Sequence, residues 1–214
     1  MIVEKIMKTN LTVLTENDTI HRAITLIKEK QIRHIPIVDD DFHLIGLVSD
    51  RDIRDAAPSI FRTEEFKEDL QKPLSLIMKK ELITGHPLDF VEEIGAVFCE
   101  NSIGCLPIVK GKKLVGIVTG TDLLHSYVEL TGANKPGSQI EVQIPDKPGV
   151  LHTISGIFKK RKVNIHSLLV YPADDETHKI LVIRVQTMNP FAIAEELQKE
   201  GYLVLWTMQQ ELPL

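Results

Sequence analysis

The stretch "GLVSDRD", residues 46–52, has a near copy in "GIVTGTD", residues 116–122. Each places a hydroxyl residue, Ser49 or Thr119, three positions before an aspartate, Asp52 or Asp122. Outward from this pair the likeness continues. Upstream, "IMKTNLTVLTENDTIHRAITLIKEKQIRHIP" aligns with "IMKKELITGHPLDFVEEIGAVFCENSIGCLP", setting Met7 on Met78, Leu11 on Leu82, Asp18 on Asp89 and Pro36 on Pro107, all 71 residues apart. Beyond the proline, "IVDDDFHLIGLVSDRDI" meets "IVKGKKLVGIVTGTDL" with one loop residue fewer, so Gly46/Gly116 and Asp52/Asp122 stand 70 apart. Register held this long marks a tandem repeat, which has to be recognised before any single element is interpreted.

Each copy predicts the same elements. A short extended segment carries Leu11 and Val13, or Leu82 and Thr84. Asp18 or Asp89 then stands where a helix N-cap is wanted. Ile20, Ala23, Ile24 and Ile27 fall at helical spacing in the first copy, as do Val91, Ile94, Val97 and Phe98 in the second. Two β-rich runs follow, "HIPIVD" with "LIGLVS" and "CLPIVK" with "LVGIVT", and a second helix opens at "DRDIRDA" or "GTDLLHSY". Ser49-x-x-Asp52 and Thr119-x-x-Asp122 therefore sit at strand-to-helix junctions. Two roles are open to them: a helix capping box, and a polar pair suited to the phosphates and ribose hydroxyls of a nucleotide.

The h-P-h-V run followed by G-h-h-S/T-x-x-D resembles the CBS domain family, whose members pair within one chain. The resemblance covers residues 1–127 and implies two clefts between the paired copies, occupied by adenosine compounds. It assigns ribose binding to Asp52 and Asp122, with Ser49 and Thr119 near phosphate. It sets Thr12, Val13, His34 and Ile35 around the base in one copy, and Ile83, Thr84, Cys105 and Leu106 in the other. The implied ligand is AMP, ADP or ATP, as a regulatory ligand and not a required cofactor. Arg33, Arg51 and Arg54 accompany the first motif while Gly120 and Thr121 follow Thr119 in the second, so unequal sites are expected, with Arg51 a phosphate partner or a solvated helix residue.

Composition narrows the alternatives. At 214 residues and 43% hydrophobic the chain buries a sizeable core. A net charge of −5, with neither part basic, speaks against nucleic acid or an acidic membrane surface as partner. No apolar run suits a signal peptide or a membrane helix, so a cytoplasmic location is expected. Cys99 and Cys105 make no CxxC, the eight histidines make no HExxH, and no glycine loop matches a P-loop. Neither a metal site nor catalysis is expected.

The charged run "AAPSIFRTEEFKEDLQKP" reads as a crossover linker, and "VELTGANKPGSQ" as a domain boundary. Beyond it, "IEVQI", a helix carrying Leu151, Ile154, Ile157 and Phe158 and ending in "KKRK", strands "VNIHSLLVY" and "KILVIRV", helix "PFAIAEELQKEG" and strand "YLVLW" give the order βαββαβ, a ferredoxin-like layout. Asp146-Lys-Pro-Gly149-Val150-Leu151, followed by Val163-Asn164-Ile165, resembles an ACT domain, which implies a small-ligand site at Asp146, Gly149, Val150, Leu151, Asn164 and Ile165. The expected organisation is CBS copy 1 at 1–56, linker 57–73, CBS copy 2 at 74–127, linker 128–138 and ACT domain 139–210, a mixed α/β and α+β chain. This arrangement is similar to the acetoin-utilisation accessory proteins of Gram-positive bacteria. That likeness implies a non-catalytic homodimeric regulator supporting growth on acetoin or butanediol, with a protein partner in acetate or acetoin metabolism. The alternative is a regulatory subunit of an amino-acid biosynthetic enzyme, sensing an amino acid at the ACT domain.

Overall fold

Helix α1 (Ile20–Lys30) starts where Thr19 accepts the Arg22 N–H at 3.2 Å. The expected cap, Asp18, lies one residue upstream and instead closes the preceding turn, accepting from the Thr15 N–H at 2.8 Å and its hydroxyl at 3.0 Å. Its Oδ2 is thus committed before the helix begins, while Oδ1 lies 3.3 Å from Arg22 Nη1. Strands β1 (His34–Val38) and β2 (Leu44–Ser49) form an antiparallel hairpin, and α2 (Asp50–Ala56) follows. In the second copy α3 (Val91–Asn101) starts at Phe90 without a side-chain cap, while Asp89 accepts the His86 N–H at 2.6 Å, repeating the turn made by Asp18. Strands β3 (Cys105–Lys110) and β4 (Lys113–Thr119) pair as β1 and β2 do, and α4 (Gly120–Thr131) follows. Both α1 and α3 end on a left-handed residue, Gln31 at φ 52° and Ser102 at φ 51°. The structure, a computed structural model, describes residues 1–56 and 68–207. Residues 57–67 of the expected linker and the last three of the expected ACT domain lie outside the described residues.

The two copies exchange their leading segments. The 3-10 turn Val3–Lys5 binds the second copy: the Val3 N–H donates to Asp89 O and the Glu4 N–H to Pro87 O, both at 2.9 Å. Val3 is fully buried in a core built from Val91, Ile94, Phe98, Leu106, Ile108 and Val118. The counterpart turn Leu74–Leu76 binds the first copy, where Leu74 N–H donates to Asp18 O at 2.8 Å. Leu74 is fully buried among Leu14, Ile20, Ala23, Ile35, Ile37 and Val48. Each segment then runs along the far edge of the other copy's hairpin, Lys8 bridging Ile117 and Lys79 bridging Leu47. The glycines of the two motifs permit this. A Cβ on Gly46 would lie 2.6 Å from Met78 Sδ, and one on Gly116 would lie 2.6 Å from Met7 Sδ. The hairpin turns also meet, with Leu44 N–H donating to Lys112 O and Leu114 N–H to Phe42 O.

A second compact unit begins at His125, inside α4. The element α4 therefore runs through the expected boundary at residue 127. Strand β5 (Ser138–Pro145), helix α5 (Val150–Arg161), strands β6 (Ile165–Pro172) and β7 (His178–Val185), helix α6 (Phe191–Lys199) and strand β8 (Leu203–Thr207) follow in the βαββαβ order. The antiparallel sheet runs β6-β7-β5-β8. Alternation along β5 puts Ile140, Val142 and Ile144 into the core with Ile154, Ile157, Phe158 and Leu197. Leu151, expected on the buried face of α5, is 46% exposed. It lies in the first turn of α5, beside Val150, which packs against the core. The "KKRK" run ends α5 as expected, with Lys160 and Arg161 both paired to Glu196.

Candidate functional site: a cleft at the first aspartate motif

Ser49 is the N-cap of α2 and Asp52 its third residue, so the capping reading is met in full. The Ser49 hydroxyl accepts the Asp52 N–H at 3.2 Å, and Asp52 Oδ2 accepts the Ser49 N–H at 2.8 Å and its hydroxyl at 2.5 Å. Asp122 Oδ2 likewise accepts from the Thr119 N–H at 2.8 Å and hydroxyl at 2.6 Å. The second oxygen of each carboxylate meets a lysine that precedes the opposite copy. Lys79 Nζ lies 3.4 Å from Asp52 Oδ1 and Lys8 Nζ lies 2.9 Å from Asp122 Oδ1. Burial works against both carboxylates, but the Ser49 or Thr119 hydrogen bonds and the lysine outweigh it, holding each pKa below the usual aspartate value.

Around Asp52 a cleft of about 490 Å³ opens at the seam of the two copies. Its lining joins Ser49, Arg51, Asp52 and His34 from the first copy to Ile83 and Cys105 from the second. Thus it collects residues expected in both copies. His34 packs over Gly104, where an added Cβ would lie 3.3 Å from the ring. Burial, then the neighbouring Arg33 charge, lowers the His34 pKa, with Asp50 and Asp52 opposing. The imidazole is neutral at neutral pH. Burial and the Asp122 charge push the Cys105 thiol up to about 12, so it presents a small apolar surface and not a nucleophile.

Other expected residues stand elsewhere. Ile35 and Leu106 are 0% and 1% exposed, in the first and second cores, and their side chains do not face the cleft. Successive strand residues point to opposite faces, so once His34 and Cys105 line the seam their neighbours turn inward. Thr12 and Val13 are half-buried and Thr84 is exposed, all outside the Asp52 cleft. By the 71-residue offset Thr12 is the counterpart of Ile83. The basic residues expected beside the first motif, Arg33, Arg51 and Arg54, line the cleft, and among residues not anticipated Lys79, Glu81, Asn101 and Gly104 do so too. Only Lys79 had a sequence signal, the in-register "IMK" at 6–8 and 77–79.

In the second unit a smaller cleft of about 260 Å³ is lined by Asp146, Gly149, Val150 and Leu151, with Val170 and Lys179 added. Lys179 Nζ lies 2.9 Å from Asp146 Oδ1. Gly149, at φ 90°, turns the chain into α5 without a side-chain cap. Asn164 and Ile165 fall outside this cleft. Asn164 donates to Gln186 Oε1 at 3.2 Å, and Ile165 opens the edge strand β6. Among the described residues no group of three or more His, Cys, Asp or Glu is placed to hold a metal ion, and no helix is long and apolar enough to cross a membrane.

Comparison with known proteins matches the CBS domain at residues 3–59 and 74–129 and the ACT domain at 138–201. An uncharacterized protein of Methanocaldococcus jannaschii is 32% identical over 152 residues, which are 66% of this chain and 34% of that one. A homoserine O-acetyltransferase of Methanococcus vannielii is 32% identical over 126 residues, 58% of this chain and 24% of that one. The match thus spans about a third or less of these relatives. Among solved structures, the Vibrio cholerae protein AcuB, named for acetoin utilization, is 29% identical with a TM-score of 0.55, covering 64% of this chain and 98% of that one. The CBS domain pair of protein MJ0100, in complex with 5′-methylthioadenosine and S-adenosyl-L-methionine, is 25% identical with a TM-score of 0.52, covering 63% and 98%.

Proposed function

We propose that this chain, which belongs to the CBS domain family and carries an ACT domain behind its repeat, is a non-catalytic sensor that takes an adenine nucleotide in the Asp52 cleft. One observation carries the reading: Asp52 spends Oδ2 on the helix cap and turns Oδ1 to a polar cleft at the seam of the two copies. A ribose diol donates to that oxygen. Arg33 and Arg51 line the same cleft and, among the described residues, are in no ion pair, so they are available to phosphate. Ile83, Ile103 and the neutral His34 supply flat and apolar surface for a base. The adenosine ligands of the MJ0100 domain pair support this class of ligand.

Ligand in such a seam favours whichever arrangement of the two copies binds it better, and a partner reads the difference. The likeness to the Vibrio cholerae protein supports a role in acetoin or butanediol utilisation, with a protein partner in acetate or acetoin metabolism. Homodimerisation belongs to the same proposal. Strand β6 leaves Leu168, Leu169, Val170 and Tyr171 each 39–45% exposed, and "IHSLLVYP" carries none of the Lys, Glu or Asp that ordinarily keep a strand edge from pairing.

Calorimetric titration with AMP, ADP and ATP tests the site. Wild type binds at least one of the three, and Asp52→Asn weakens that binding by tenfold or more, about 1.4 kcal/mol. Equal binding by both proteins would reject the assignment. A second reading, the regulatory subunit of an amino-acid biosynthetic enzyme, is favoured by the homoserine O-acetyltransferase relative and by the cleft at Asp146 and Lys179. Binding of an amino acid without any nucleotide would select it.

A further inference from the structure

The sequence repeat gives Lys79 no role, yet the fold places it with care. Its backbone is pinned to β2, donating to Leu47 O at 2.9 Å and accepting the Leu47 N–H at 3.0 Å. Met78, just before it, is wedged against Gly46. Its side chain is 63% exposed, with its ammonium 3.4 Å from Asp52 Oδ1. The arrangement recurs with Lys8, pinned to Ile117 and set 2.9 Å from Asp122 Oδ1, so it is a feature of the fold and not of one rotamer.

The Asp52 carboxylate has one oxygen to offer a ligand, and Lys79 occupies one of its two lone-pair directions. A ribose diol that gives both its hydroxyl protons to Oδ1 takes both directions and displaces the ammonium. An unphosphorylated nucleoside leaves that displaced charge without an anion at the cleft wall, beside Arg33 and Arg51. A phosphorylated one supplies the anion, and the flexible lysine stem lets the ammonium turn from carboxylate to phosphate. We propose that Lys79, lent by the second repeat, is the specificity-determining residue of the Asp52 cleft and makes tight binding conditional on a phosphate. The inference rests on the adenosine reading of that cleft given above.

The test is to titrate AMP and adenosine separately into wild type, Lys79→Gln, Lys79→Arg and Asp52→Asn. Wild type binds AMP about tenfold or more tighter than adenosine, as charge-assisted hydrogen bonds to phosphate require. In Lys79→Gln that ratio falls about fivefold or more, because AMP weakens while adenosine, freed of its competitor, binds as well or better. Lys79→Arg restores the preference. The 63% exposed lysine side chain makes misfolding of the two Lys79 variants a small risk, and adenosine binding reports it directly. An unchanged ratio in Lys79→Gln overturns the proposal, as does an equal loss for both ligands, the mark of a merely structural lysine. Wild type binding neither compound overturns this inference, and binding both with no effect of Asp52→Asn overturns the reading of the site itself and this inference with it.

Discussion

At the scale of single residues, Ser49 and Asp52 close a helix cap that uses Asp52 Oδ2 and leaves Oδ1 beside Lys79 in the cleft. The cap is local, three residues of chain, and was therefore legible in the sequence. The ion pair from Lys79 joins residues 27 apart in number and belongs to the exchanged segment, so no local pattern announced it. Ile35 and Leu106 show the opposite case: the strand is legible in the sequence, but only the hairpin's burial says which of two neighbouring residues faces the seam. His34 gives a prediction at this scale. Its pKa lies below the ordinary value of 6.5, chiefly from burial, with Arg33 and Lys79 lowering it and Asp50 and Asp52 raising it. Below pH 6.5 the unfolded chain binds a proton that the folded protein resists. Stability from this residue is therefore present above pH 6.5 and is lost as pH falls toward the folded-state pKa. Urea unfolding at pH 7.5 and 5.5 should show a smaller loss in His34→Gln than in wild type. An identical loss would mean that the imidazole is no more buried than in the unfolded chain.

At the scale of elements, helices, hairpins and the βαββαβ order were readable because each rests on hydrophobic period and turn residues near in sequence. The exact helix starts were not, since Asp18 and Thr19 are both competent caps and the choice depends on which amide, Thr15 or Arg22, each reaches. The motif glycines were recognised as repeated, but their reason lies in the crossing methionines. Gly46→Ala brings a Cβ within 2.6 Å of Met78 Sδ and is expected to cost about 1–3 kcal/mol by overpacking. Gly95→Ala, inside α3 with nothing within 4 Å of the new Cβ, should instead gain roughly 0.5–1 kcal/mol from helix propensity. Denaturant midpoints of the two variants check both signs. If the two substitutions behaved alike, the close approach at Gly46 would not be what its glycine serves.

At the scale of the whole molecule, the exchange of leading segments ties the two copies of the repeat into one compact unit. Sequence alignment assigns Leu74 to the second copy, whereas packing assigns it to the first core, because an alignment matches elements without saying which core they join. Leu74→Ala should cost about 2–5 kcal/mol, and hydrogen exchange should show the lost protection in α1 and β1. Loss confined to α3 and β3 would contradict the exchange. The edge strand β6 yields a second outcome: Leu169→Lys, which puts a charge on an apolar edge, is expected to convert a dimer to a monomer by light scattering. A wild-type monomer would remove that part of the proposal.

The central claim, that the seam at Asp52 is built for an adenosine ligand, is met most directly by a crystal structure grown with AMP. The ribose should sit with a hydroxyl within hydrogen-bond distance of Asp52 Oδ1, its phosphate toward Arg33, Arg51 and Lys79, and its base against Ile83 and His34. Nucleotide density elsewhere, with Asp52 still joined to Lys79 and the cleft holding only solvent, would contradict the account.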